Sequence, residues 1–184
     1  NGPYVQKFEK DLKKSLKVNN LSVVANGTLA IQLAIKSLNL KGEIITTPFT
    51  WIATIDAIIW EKCKPIFVDV ELDTFNINPD LIEKKITKHT VAILGVHTFS
   101  NPCNVEKIGK IAKKHDIKVI YDAAHSMFAN YKKKTILSYG DVSATSLHAT
   151  KILNSVEGGV CISKNQTLDK KIKKIRYLGF DNKG

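Results

Sequence analysis

Arginine is nearly missing from this 184-residue chain: all but one of its 28 basic residues are lysine, the exception being Arg176. Against 17 acidic residues this leaves a formal net charge of +11. A basic balance can signal a nucleic-acid partner. Here the lysines fall in clusters at helical spacing (Lys10, Lys13, Lys14; Lys113, Lys114; Lys170, Lys171, Lys173, Lys174) with no interleaved aromatics. That pattern reads as solvated helix surface, and no nucleic-acid partner is expected, since charge alone speaks to solubility and non-specific binding. Cysteine is also scarce. Cys63, Cys103 and Cys161 are an odd number without paired spacing, so neither a disulfide framework nor a zinc site is indicated, no metal is expected, and the thiols read as those of a reduced, cytoplasmic protein. No apolar run is long enough to cross a bilayer, and no membrane partner is expected. The first residues, Asn1-Gly2-Pro3-Tyr4, lack an initiator Met and a signal-peptide pattern, so the sequence reads as beginning mid-protein. Neither GxGxxG nor GxxxxGK[ST] occurs, which argues against a dinucleotide or Walker-type site.

What is present is alternation. Hydrophobic residues are 43% of the chain, enough for one globular domain with a real core. Val5, Phe8, Leu12 and Leu16 recur at helical spacing and predict a helix over 4–17. Apolar, β-rich runs predict strands over 21–25, 43–47, 65–70, 91–96, 118–121, 142–147 and 160–163. Helices are predicted between them over 29–38, 51–62, about 79–86 with proline near the first turn, 104–114 behind the capping Asn104, and from about 166. Residues 132–139 are the most loop-like stretch. Repeated strand–helix alternation argues an α/β fold with a mainly parallel sheet covered by helices on both faces.

Ligands of such sheets gather at the carboxyl ends of the strands, so the polar residues there are the candidates. Lys151 lies on the turn that leaves a buried strand carrying Val142, Ala144 and Leu147. A lysine held there is partly desolvated, which favours the neutral amine, a nucleophile toward an aldehyde; the plain alternative is a surface lysine. Gly27 and Thr28 open a helix whose free N–H groups and dipole favour an anion such as phosphate. Ser146 can add a hydroxyl to that anion or be satisfied locally. Trp51 can stack on a planar heteroaromatic ring or simply be packed. Asp122 ends a buried strand, a costly place for a carboxylate without a partner. A protonated ring nitrogen would be one partner, and a lysine or a helix N-terminus another. His125 can donate to a phenolic oxygen or be an ordinary half-buried histidine. Phosphate, planar ring, ring nitrogen, phenolic oxygen and aldehyde together describe pyridoxal 5′-phosphate.

The motifs Asn1-Gly2-Pro3, Asn26-Gly27-Thr28-Leu29-Ala30, Thr47-Pro48-Phe49-Thr50-Trp51-Ile52-Ala53-Thr54, Phe67-Val68-Asp69-Val70, Asp122-Ala123-Ala124-His125, Ser146-Leu147-His148-Ala149-Thr150-Lys151 and Glu157-Gly158-Gly159, in this order, resemble the DegT/DnrJ/EryC1/StrS nucleotide-sugar aminotransferases. The resemblance implies a fold type I pyridoxal-phosphate enzyme. It makes Lys151 the Schiff-base lysine and Asp122 the partner of the pyridine nitrogen, the two catalytic residues. Trp51 then stacks on the ring, His125 faces its phenolic oxygen, and Gly27, Thr28 and Ser146 hold the phosphate. The implied reaction moves an amino group, with glutamate the expected donor, to a keto-sugar of a nucleotide-linked deoxysugar, with a dTDP sugar expected. The implied assembly is a homodimer with shared active sites.

Members of this family are about twice as long, so residues 1–184 are expected to be one partial cofactor-binding large domain without the small C-terminal domain. The rival reading is a non-catalytic remnant or a cofactor-binding regulatory module of the same fold. Two departures bear on it. A glycine is expected where Ser100 stands, and a small residue, usually glycine, where Phe128 stands. Both substitutions imply strained backbone, should those positions require positive φ.

Overall fold

The computed structural model describes residues 2–179; Asn1 of the first motif lies outside the described residues. Among the described residues, nine strands and six α-helices follow in chain order: α1 (Pro3–Leu16), β1 (Leu21–Val24), α2 (Gly27–Ser37), β2 (Glu43–Thr46), α3 (Ile52–Trp60), β3 (Lys64–Phe67), α4 (Pro79–Ile82), β4 (Thr90–Val96), α5 (Val105–Lys114), β5 (Lys118–Asp122), β6 (Asn130–Tyr131), β7 (Lys134–Thr135), β8 (Val142–Ser146), β9 (Gly159–Ser163) and α6 (Gln166–Arg176). Seven strands form one sheet in the order β1-β9-β8-β5-β4-β2-β3. Strands β8, β5, β4, β2 and β3 run parallel, and β9 lies antiparallel between β1 and β8. The expected mainly parallel α/β sheet is therefore present, with one reversed strand in its interior.

Alternation along the strands explains why both faces are covered. Ile44, Leu94, Ile120 and Val142 point to one side and pack on Ile31 and Ile35 of α2, Ile58 of α3 and Ile172 of α6. Their neighbours Ile45, Ile93, Val119 and Tyr121 point to the other side and meet Ile108 and Ile111 of α5. A third group joins Leu12 and Leu16 of α1 to Leu21, Val160 and Ile162. Each fully buried aliphatic side chain contributes about 1.5–3 kcal/mol, so the two-sided apolar strands suit a sheet buried between helices.

The lone arginine is structural. Arg176 at the end of α6 donates to Glu9 of α1 and to the Val23 carbonyl of β1. Glu9 also accepts from the Val23 N–H at 2.9 Å. One buried carboxylate thus joins the first helix, the first strand and the last helix.

Three expectations are corrected. The helix predicted to start at residue 29 starts at Gly27, because the Asn26 side chain caps it by accepting from Leu29 N–H at 2.8 Å. The strand predicted to reach residue 70 ends at Phe67; Val70 instead bridges Ile77. Residues 132–139 are not simple loop. They hold β7 and a turn of 3-10 helix over Ile136–Ser138, and Ile136 and Leu137 are buried in the third core group.

Candidate active site

The turns after β1, β2, β4, β5 and β8 all open at one end of the sheet, and a cleft of about 780 Å³ lies between them. Its walls include Gly27, Thr28, Trp51, Asp122, His125, Ser146 and Lys151. Residues spread over 125 positions of sequence thus share one pocket, because parallel strands deliver their carboxyl ends to the same edge.

Asp122 is the last residue of β5 and is buried. Its Oδ2 accepts from the Thr54 hydroxyl at 2.7 Å, and its Oδ1 accepts from the Ala124 N–H at 3.0 Å. Burial pushes its carboxyl above the usual carboxylate range, opposed by those two donors and by the positive fields of His125 and Lys151. Among the described residues no lysine, arginine or histidine lies within ion-pair distance of it. Of the two structural partners expected for it, a lysine or a helix N-terminus, no lysine pairs with it among the described residues.

The start of α2 meets the end of β8 without spare room. A β-carbon on Gly27 would lie 2.9 Å from the Ser146 β-carbon, so the chain needs glycine to bring a helix N-terminus against that side chain. As the first two helical residues, Gly27 and Thr28 carry N–H groups with no acceptor inside the helix. The Ser146 hydroxyl accepts from the His148 N–H at 3.2 Å and keeps its own proton to donate. Behind this corner, a β-carbon on Gly159 would approach the Asn26 carbonyl oxygen to 2.2 Å. The second glycine of Glu157-Gly158-Gly159 therefore lets β9 pass directly beneath the helix cap.

Trp51 caps α3 and is 79% exposed, so it is not a packed core tryptophan. His125 is exposed on the turn after β5 and stacks in parallel on Phe99 with centroids 6.0 Å apart. Partial burial, and secondarily the Lys151 charge, lower its pKa, while Asp122 opposes the shift. Lys151 is half-buried on the turn after β8, with its backbone N–H bonded to the His148 carbonyl at 2.9 Å. No ion pair holds its ammonium among the described residues.

Residues 1–184 match the DegT/DnrJ/EryC1/StrS aminotransferase family. The chain belongs to that family. It is similar to a dTDP-4-amino-4,6-dideoxy-D-glucose transaminase from Shigella dysenteriae, with 41% identity over 180 residues, covering 98% of this chain and 49% of the relative. Among solved structures it superimposes on DesI, crystallised in the presence of its TDP-sugar product, with a TM-score of 0.95 at 32% identity over 99% of this chain and 46% of that one. It also matches NtdA from Bacillus subtilis with bound cofactor PMP, with a TM-score of 0.91 at 30% identity over 100% of this chain and 43% of that one. The chain spans about half the length of the curated relatives it matches.

The two positions where the resemblance led to an expected glycine have backbone in which glycine has a physical advantage. Ser100 has φ 68° and Phe128 φ 69°, both left-handed. Ser100 recovers part of the cost, because its hydroxyl donates to the His125 carbonyl. Phe128 makes no such bond through its side chain and is 45% exposed. Ser100 ends a 3-10 turn over Thr98–Ser100, and Phe128 follows His125 by three residues in the chain.

Two further residues of the site carry no role in the sequence reading. Thr54 is fully buried and bonded to Asp122; its only signal was its place at the end of the Thr-Pro-Phe-Thr-Trp-Ile-Ala-Thr motif. His97, at the end of β4, is buried against Tyr121 with ring centroids 4.4 Å apart. Burial lowers its pKa to about 3 and keeps it neutral, with Nδ1 accepting from the Cys103 N–H.

Proposed function

We propose that this chain is the cofactor-binding part of a pyridoxal-phosphate-dependent aminotransferase acting on the keto group of a nucleotide-linked sugar. The observation that carries the reading is Asp122: a buried carboxylate with two hydrogen bonds and, among the described residues, no ion-pair partner, lining the same cleft as Lys151. A cationic ring nitrogen would supply the missing charge. The Gly27–Ser146 corner and the exposed face of Trp51 fit the phosphate and ring of the same group. All seven residues share one cleft, as both an enzyme and a cofactor-binding module of this fold require, so turnover decides between them. We infer that residues 1–184 form one partial large domain.

Pyridoxal phosphate, when bound, supplies an aldehyde that links to amines and a ring that withdraws electrons. The chain's own residues do the rest. The N–H groups of Gly27 and Thr28 and the Ser146 hydroxyl would hold the phosphate. Trp51 would cover one ring face, and His125 would donate to the phenolic oxygen. Asp122 would keep the proton on the ring nitrogen, its own charge favoured by that close cation. The Lys151 amine would carry the linkage at rest. Once displaced by the amino donor, it would take the proton from the donor's α-carbon and return one to the product side. Glutamate is the donor of this proposal, and a dTDP-linked keto-deoxysugar as acceptor suits the names of the dTDP-4-amino-4,6-dideoxy-D-glucose transaminases that the chain resembles.

The test uses the full-length protein loaded with cofactor. Glutamate alone is expected to yield one 2-oxoglutarate per site, and a dTDP-keto-deoxysugar added afterwards one amino sugar, in the order a two-half reaction requires. No 2-oxo acid from any amino donor would overturn the reading. A homodimer with shared sites belongs to the same proposal. Ile52, Ile59 and Trp60 of α3 are 59%, 56% and 76% exposed beside Trp51, a large apolar face for a soluble surface. Light scattering should give a dimer mass. The three cysteines, all free and buried, favour a cytoplasmic setting. Among the described residues no helix is long and apolar enough to cross a membrane.

A further inference from the structure

We propose that Thr54, with Thr50 behind it, is a positioning residue that keeps the Asp122 carboxylate ionised and fixed in orientation. The inference rests on the reading that Asp122 faces a cationic ring atom, but it concerns residues to which that reading gives no role.

Thr54 lies in the first turn of α3, fully buried, and reaches across to the end of β5. Its hydroxyl is 2.7 Å from Asp122 Oδ2 and 2.7 Å from the Thr50 hydroxyl. A hydroxyl has one proton to give. While Asp122 is ionised, Thr54 must spend that proton on the carboxylate, so Thr50 must donate to Thr54. Protonating Oδ2 would reverse the bond to Thr54 and release the Thr54 proton, so that the Thr50–Thr54 bond is no longer fixed in direction. The pair is therefore a chain whose direction is fixed, from Thr50 to Thr54 to Asp122, while Asp122 is ionised, and each link polarises the next. Oδ1 cannot take part in the reversal, because the Ala124 N–H donates to it and has no lone pair.

With one oxygen held from α3 and the other from the turn after β5, the carboxylate plane cannot rotate freely. The charged groups whose fields bear on Asp122 are His125 and Lys151. Both act through space, so the hydroxyl chain is the direct side-chain contact that favours the ionised form. Thr50 is half-buried on the cleft wall next to Trp51. The chain of bonds thus runs from the Trp51 turn to the carboxylate.

The alternative is that the two threonines only cap and fill the first turn of α3. The variants Thr54→Val, isosteric without a hydroxyl, Thr54→Ser, with the hydroxyl kept, and Thr50→Val separate the two. Full-length protein labelled with 13C at aspartate carboxyls, without cofactor, gives the Asp122 titration directly; Asp122→Asn assigns the resonance. In Thr54→Val the carboxyl is expected to titrate at higher pH than in the parent, in Thr50→Val at higher pH by less, and in Thr54→Ser at the parent value. Pyridoxal phosphate binding should weaken about tenfold in Thr54→Val, the scale of one hydrogen bond to a charged group, and change little in Thr54→Ser. An unchanged titration in Thr54→Val, or an equal shift in Thr54→Ser, would overturn the proposal. Should Thr54→Val fail to fold, Thr50→Val decides: an upward shift supports the chain and none refutes it. A parent protein that binds no pyridoxal phosphate, yet shows the shifts, would refute the functional reading and leave the hydroxyl chain standing.

Discussion

A β-carbon on Gly27 would lie 2.9 Å from the β-carbon of Ser146, which makes the corner between α2 and β8 intolerant of any larger residue. Gly27→Ala is expected to lift the first turn of α2 away from Ser146, an overpacking cost of about 1–3 kcal/mol. Pyridoxal phosphate affinity should fall about tenfold or more, while Ser146→Ala, losing one hydroxyl, should cost about three- to tenfold. Absorbance titration of the cofactor ranks the two. Equal, small effects would mean that the corner does not hold the phosphate.

The left-handed residues give a stability prediction of opposite sign. Phe128→Gly relieves a positive φ worth about 1–2 kcal/mol and pays part of it back as unfolded-chain entropy. A net gain of about 0.5–1 kcal/mol, a few degrees in Tm, is expected. Ser100→Gly relieves the same strain but loses the bond to the His125 carbonyl, so it should be close to neutral. Thermal melts of the two variants test the order.

Asp122 sets a pH dependence whose sign can be worked out. Burial raises its folded pKa above the ordinary 3.8. Between the ordinary and the raised value the folded chain keeps a proton that the unfolded chain has released. Stability therefore falls as pH rises through that window and stays reduced above it. Without cofactor, Asp122→Asn should be more stable than the parent at neutral pH, with the advantage vanishing below the ordinary carboxylate value. Denaturant titrations at both pH values test this. A carboxylate serving as a core ion pair would give the reverse, a less stable Asp122→Asn at neutral pH. With cofactor and substrates, the same variant should lose about a hundredfold or more in kcat, about 3 kcal/mol at the transition state.

Arg176→Met removes the guanidinium from Glu9 and leaves a buried carboxylate with the Val23 N–H and with Lys173 at 4.0 Å. A loss of about 3 kcal/mol is expected, as for one broken side of a buried ion pair. Urea unfolding measures it. A loss below about 1 kcal/mol would mean that the pair behaves as a surface contact.

Much of this was legible in the sequence because strand and helix periodicity fix which ends of which strands share an edge. Asp122, Ser146 and Lys151 were found as polar residues following apolar strands, and Gly27 and Thr28 as a helix start. The positive φ found at Ser100 and Phe128 is the conformation the resemblance led us to look for at those two positions. Thr54 was not legible as a partner of Asp122, because the bond spans 68 positions and a threonine in a helix has many local uses. The burial of Ile136 and Leu137 was missed because polar neighbours mask two apolar residues that no periodic pattern supports. The reversed strand β9 was missed because strand direction leaves no mark in residue type.

The central claim is that one lysine among all those in the chain, Lys151, carries the cofactor. Full-length protein incubated with pyridoxal phosphate, reduced with borohydride and digested should give, by mass spectrometry, a single dominant pyridoxyl adduct. The account predicts that adduct on Lys151, at one per chain, and its loss in Lys151→Ala. Adducts scattered over the surface lysines, or a dominant adduct that survives Lys151→Ala, would contradict it.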